Sequence, residues 1–164
     1  RQARQALCEL ELFVVQDIFM TETAWQADIV LPASAHAEKL GSFTNTNRQV
    51  QIGHPVIPPP GSARQDWKIV QEIAQRMGLP WNYGHISEVF TEMASVMPSM
   101  TNITWDRLLD EGAVTYPCDA PDKPGNEIIF AKSFPTKSGR AKIVPATMMP
   151  PHEFRPGTGS LAVW

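Results

Sequence analysis

The stretch LFVVQDIFMTETAWQADIVLP, residues 12–32, decides the fold. It opens on a continuous apolar run, LFVVQ at 12–16, which reads as a buried parallel strand with Asp17 at its carboxyl end. Thr21 or Thr23 can cap a short helix through Ala27, and DIVLP at 28–32 reads as a second buried strand stopped by Pro32. Strand, short helix, strand is the repeat of a doubly wound α/β sheet. In such sheets ligands bind beyond the carboxyl ends of the strands. Two polar loops leave from those ends, at 16–23 and 33–51, so a ligand is expected there.

Further along, RQDWKIVQEIAQRMGLP predicts a helix with Asp66 as N-cap, an apolar face of Ile69, Val70, Ile73, Ala74 and Met77, and a stop at Gly78 and Pro80. That face is expected to pack onto the strands at 12–16 and 28–32. SEVFTEMASVM predicts a second amphipathic helix with Val89, Phe90 and Met93 inward, and TWDRLLDEG a third, short one. Residues 2–10 read as a helix end with Ala3, Ala6, Leu7 and Leu10 on one face, and EIIFAKSFPTKSGRAKIVP as two strands around a turn at KSG. Prolines concentrate in HPVIPPPG, YPCDAPDKPG and VPATMMPPHEFRPG, so 98–164 is expected to be less regular than 1–97 and to extend away from the sheet.

The 164 residues suit one ordinary domain, and 43% hydrophobic with 19% charged residues describes a chain that builds a core. A net charge of −3 gives no support for nucleic acid or an anionic membrane as main partner. No apolar run approaches the roughly 20 residues of a membrane span. The start, RQARQALCELELFVVQ, is not a signal peptide, because its apolar part is short and broken by Glu9 and Glu11. It lacks Met, and the far end stops on an apolar LAVW, so the chain is expected to be a piece of a longer one.

Cys8 and Cys118 show no CxxC spacing, which argues against an iron–sulfur or zinc site made by this chain, and each reads as a small core residue. The four histidines, His36, His54, His85 and His152, are scattered and read as structural or surface residues. Glu22 and Glu38 have no spacing that makes them an acid/base pair. Four other residues stand where a ligand would. Asp17, at a strand end, is either a turn aspartate or a carboxylate placed to accept from the N1–H and N2–H₂ edge of guanine. Lys39 is either a solvated lysine or a point charge for phosphate. Gln16 can donate and accept at a base or ribose. Asp66 is explained as a helix cap yet lies where a ligand can reach it. GSFTNTNRQVQ suits a loop wrapped on a ligand and equally a plain hairpin.

LFVVQDIFMTETAWQADIVLPASAHAEKLGSFTNTNRQVQ, followed by PPPGSARQDWKIVQEIAQRMG, closely resembles the molybdopterin oxidoreductase family that binds a bis(guanine dinucleotide) cofactor. Within it the nearest resemblance is to the large subunit of formate dehydrogenases, particularly NAD-linked ones, and LPWNYGHISEVFTEMASVMPSMTNITWDRLLDEGAVTYPCDAP looks like their continuation. The resemblance implies that 1–97 is the later part of a Rossmann-like, doubly wound parallel-sheet domain that binds molybdopterin guanine dinucleotide. It implies that 98–164 is a loop-rich connection toward a missing C-terminal cofactor-binding domain. Family cofactor contacts fall on Gln16, Asp17, Lys39 and Asp66. Lys39 and Asp66 are expected at the rim of one groove formed by residues 16–17 and 33–51.

In the whole enzyme the resemblance implies oxidation of formate to CO₂ at molybdenum or tungsten held by bis(molybdopterin guanine dinucleotide). Electrons would pass through [4Fe–4S] clusters to an iron–sulfur/flavin subunit that reduces NAD⁺ in the cytoplasm. The family's metal-ligating Cys or selenocysteine, the His after it, the catalytic Arg and the cluster cysteines have no counterpart here, so the chain alone is expected to be inactive. A nitrate reductase-type subunit is one alternative. A cofactor-free structural or electron-transfer subunit of the same fold is another, and Asp17, Lys39 and Asp66 together argue against it.

Overall fold

A computed structural model describes residues 2–146. It divides the chain after Glu127 into two units.

In the first unit, the apolar runs at 12–16 and 28–32 form β1 (Val14–Asp17) and β2 (Ile29–Pro32), paired in parallel with Val14 opposite Ile29 and Asp17 opposite Pro32. A 3₁₀ turn at Ala24–Gln26 joins them, and the Thr21 hydroxyl accepts the Ala24 N–H at 3.2 Å. The α/β reading holds, with a parallel pair at its start. Neither strand has a buried residue, and Leu12, Val14 and Ile29 are exposed. After β2 the chain is flanked by residue 64: Ala33 and Arg64 form a parallel bridge, Ser34 N–H donates to the Arg64 carbonyl at 2.8 Å, and Arg64 N–H to that of Pro32 at 3.1 Å. This puts the start of the next helix beside the strand ends.

That helix, α2 (Asp66–Arg76), buries Ile69 and Ala74, but Val70, Ile73 and Met77 are exposed at 48%, 43% and 76%. The expected packing of the whole face onto the strands is therefore not seen. The helix also starts one residue early, with Gln65 at the cap position and Asp66 in the first turn, where a carboxylate favours the helix dipole. At the amino end, α1 (Gln2–Cys8) has no buried residue, and of its expected apolar face Ala3, Ala6 and Leu10 are exposed and Leu7 half-buried.

The polar stretch at 33–51 is not one loop. It holds a 3₁₀ turn at His36–Glu38 and then β3 (Gly41–Thr44), which pairs antiparallel with β4 (Gln49–Gly53). The plain-hairpin reading of GSFTNTNRQVQ is the one that stands. Arg48 closes the hairpin in the left-handed region (φ 67°). Its guanidinium donates to the carbonyls of Tyr116, Asn126 and Glu127, strapping the 116–127 segment to the hairpin. Gly125 lets that segment pass close, because a Cβ there would stand 1.4 Å from the Thr115 carbonyl oxygen.

The core lies on this second sheet rather than on the parallel pair. α3 (Ile86–Val96) turns Phe90, Met93 and Ala94 inward, and α4 (Trp105–Glu111) turns in Trp105 and Leu108. His85 caps α3, its Nδ1 accepting from Ser87 N–H, and Thr104 caps α4 the same way through Arg107 N–H. β5 (Ala113–Thr115) then completes the sheet, with Val114 opposite Val50. Val50, Phe90, Met100, Ile103, Leu108 and Val114 form one buried cluster, and each contributes about 1.5–3 kcal/mol by leaving water. The boundary expected at 97/98 falls inside this unit.

In the second unit, 128–146 carries no helix or strand among the described residues. A turn in which Phe134 N–H donates to the Gly139 carbonyl at 3.0 Å stands where two strands were expected. Pro135 removes a ladder donor, and a lone two-stranded hairpin is marginal in water. The proline-rich tail, LAVW and His152 lie outside the described residues.

Candidate functional site

Gln16 is the third residue of β1 and points its amide at the start of α2, where Nε2 donates to Asp66 Oδ1 at 2.7 Å. Lys39 follows the turn at 36–38, which is tied by Glu38 Oε2 accepting the Ala35 N–H at 2.8 Å. The Lys39 ammonium pairs with Asp66 Oδ2. Three of the four expected site residues therefore meet at one carboxylate, brought from three stretches of chain.

Asp17 is not part of that contact. Its Oδ1 accepts the N–H groups of Ile18 and Phe19 at 2.7 and 3.3 Å, the geometry of a turn aspartate. Neighbouring strand residues present opposite faces, which separates it from Gln16.

Partial burial pushes the Asp66 carboxyl up, but hydrogen bonds from Lys39 and Gln16, with the Lys39 charge, outweigh it and hold the group below the usual carboxylate range. A carboxyl lowered on folding adds stability above its unfolded pKa and loses it as pH falls through the folded value. Asp66→Asn is therefore expected to lower the melting temperature slightly at neutrality and to flatten the acid side of its curve against pH, so that parent and variant converge at low pH. With side chains 28% and 44% exposed, the pair contributes no more than about 1 kcal/mol. An unchanged acid limb in the variant would contradict this origin.

Beside the pair lies a recess of about 360 Å³, walled by Phe43, Trp67, Phe90 and Met93, with Lys39 and Asp66 also facing it. Sequence reasoning missed it because Phe43 stood in a stretch read as polar loop. In the link from β2 to the 36–38 turn, the Ser34 hydroxyl is 1% exposed and has no hydrogen-bond partner among the described residues.

The other candidates have plain roles. Glu22 pairs with Arg4 at the surface, and Glu38 ties its own turn. The His36 ring packs on Phe43 with centroids 4.0 Å apart. Cys118 is buried as expected, whereas Cys8 is exposed, a correction that follows from the open face of α1. Among the described residues no cluster of His, Cys, Asp and Glu is placed to hold a metal ion, and no helix is long and apolar enough to cross a membrane.

A polar cluster beyond the carboxyl ends of parallel strands is a layout in which open α/β sheets bind ligands. Residues 1–76 match the family described as Molybdopterin oxidoreductase. The chain is 42% identical over 147 residues to the F420-dependent formate dehydrogenase subunit alpha of Methanocaldococcus jannaschii, covering 88% of this chain and 22% of that subunit. It is 43% identical over 143 residues to the F420-dependent formate dehydrogenase 2 subunit alpha of Methanococcus maripaludis, covering 86% and 21%. Among solved structures, acetylene hydratase from Pelobacter acetylenicus superposes with a TM-score of 0.58 at 28% identity, over 84% of this chain and 18% of that one. The chain belongs to the molybdopterin oxidoreductase family.

Proposed function

We propose that this chain is a cofactor-holding part of the catalytic subunit of a molybdenum or tungsten formate dehydrogenase. One observation carries the reading. Gln16, Lys39 and Asp66 meet beyond the strand ends in a chain 42% identical to a formate dehydrogenase alpha subunit. In this reading 1–97 contributes to the domain that binds molybdopterin guanine dinucleotide, and 98–164 leads toward a C-terminal cofactor domain.

The residues fit a guanine dinucleotide by their chemistry. Lys39 has N–H donors beyond the one on Asp66, for phosphate oxygen. Gln16 keeps its carbonyl oxygen as an acceptor. Asp17 uses Oδ1 on its own turn, which leaves Oδ2 for guanine donors. The unpartnered Ser34 hydroxyl is one more polar group in the same stretch. When bound, the metal and pterin would supply the redox chemistry of formate oxidation to CO₂. The chain's own residues would bind and orient the guanine arm. Iron–sulfur clusters elsewhere in a cytoplasmic enzyme would carry electrons to a flavin subunit and NAD⁺. The F420-dependent relatives make F420 as acceptor the second reading, and assays with both acceptors separate the two.

The test uses the full-length subunit. Asp17→Ala and Lys39→Ala are expected to lower bound metal and releasable guanine nucleotide several-fold, since each loss leaves ligand groups unpaired at roughly 1–3 kcal/mol. Undiminished cofactor and formate oxidation in both would sink the assignment.

A further inference from the structure

Lys39 leaves a turn that is held from several sides. Glu38 clamps it from within. Its backbone N–H donates to the Ala35 carbonyl at 3.1 Å, and its carboxylate reaches back to accept the Ala35 N–H at 2.8 Å. A glutamate three residues into a turn makes this bond in a capping box, where a cap hydroxyl usually returns one. Alanine has no side-chain oxygen, so here the carboxylate is the side-chain tie. From outside, the Ala37 carbonyl accepts the N–H groups of Val56 and Ile57 at 2.7 and 3.2 Å.

The tie has a consequence for the next residue. Glu38 is half-buried and lies beside a lysine in sequence, yet the Lys39 ammonium pairs with Asp66 and not with Glu38. A carboxylate free to turn would compete for that ammonium at short range; held on the Ala35 N–H, it does not. Lys39 itself has extended backbone (φ −137°, ψ 150°), so its stem departs in a direction set by the last peptide of the turn.

We propose that Glu38 is a positioning residue: by clamping the 35–38 turn it aims the Lys39 ammonium, and so governs how firmly a phosphate group of the bound ligand is held. Glu38 touches no ligand in this arrangement and acts through the backbone. The inference rests on the reading of the site as the place of a guanine dinucleotide.

The full-length subunit tests it with Glu38→Gln, Glu38→Ala, Lys39→Ala and the double variant Glu38→Ala/Lys39→Ala. Two readouts apply: guanine nucleotide retained per subunit, and the rate of Lys39 acylation by an amine reagent, followed by peptide mass spectrometry. Glu38→Ala is expected to lower nucleotide retention several-fold and to speed Lys39 acylation about threefold, the scale of losing a partly exposed ion pair. Glu38→Gln keeps an oxygen for the Ala35 N–H and is expected to behave as the parent in both. In the Lys39→Ala background, Glu38→Ala should add little further loss of nucleotide, the signature of coupled residues. Should Glu38→Ala fail to fold, Glu38→Asp, one methylene too short for the tie, replaces it in each comparison. Parent-like retention and acylation in Glu38→Ala would overturn the proposal. So would a Glu38→Gln subunit as impaired as Glu38→Ala, which would make the charge and not the tie the cause, or undiminished loss in the Lys39→Ala background. A parent that carries no guanine nucleotide would overturn the functional reading; the acylation rates, which need no nucleotide, would still decide whether Glu38 aims Lys39.

Discussion

Ile103→Ala is expected to destabilise the protein by about 3–4 kcal/mol, near the middle of the range for a fully buried large-to-small change. Ile103 is 0% exposed and joins the cluster beneath β4 and β5, so its removal takes away both its transfer free energy and its contacts. The turn from Pro98 to Met100 and the start of α4 hold it from both sides, which limits collapse into the gap. Urea titration of parent and variant measures the difference. A midpoint shift worth less than about 1 kcal/mol would mean that the cluster is not the stabilising centre described.

The second large effect is expected at Arg107. Its side chain is 9% exposed, and its guanidinium donates to the carbonyls of Asn102 and Lys123 at 3.0 and 2.7 Å and to Cys118 Sγ at 3.1 Å. The Glu111 hydrogen bond, against some opposing burial, raises the guanidinium further above its usual range, so it stays charged at every working pH. Arg107→Ala leaves two carbonyls and a buried thiol without their donor, at about 2–4 kcal/mol in all. The same change is expected to expose Cys118 to a thiol reagent. Because Cys8 is already exposed, the rate is read in a Cys8→Ser background. Slow, unchanged labelling together with unchanged stability would contradict the role given to the guanidinium.

What could be read from the residues follows how local each feature is. β1, β2 and the helices at 66, 86 and 105 were legible because apolar runs, caps and stops mark them within a dozen residues. The meeting of Gln16, Lys39 and Asp66 was anticipated only as positions around a groove. Which atoms touch depends on the bridge between Ala33 and Arg64, and no local pattern announces it. The hairpin was legible only as one of two readings of GSFTNTNRQVQ, because polar Ser42 and Thr44 share the core-side face with Ile52 and Val50, and the buried Val50 is flanked by two glutamines. The exposed face of α2 shows the limit of periodicity, which says that a face is apolar but not what lies against it. Proline density misled at 98–127, where Pro98 opens a turn that delivers Met100 and Ile103 to the core.

β5 joins β4 across a long stretch of chain, with Val114 beside Val50. The consequence concerns the time in which the protein is made. At about 5–20 residues per second, roughly sixty further residues take on the order of 3–12 seconds to synthesise. For that interval the hairpin of β3 and β4 carries a bare edge with Val50 uncovered, an open template for any other strand. The glutamines on either side of Val50 make that edge less adhesive than an apolar run would, so the polarity that left the stretch open to two readings also guards the hairpin while it waits for its third strand.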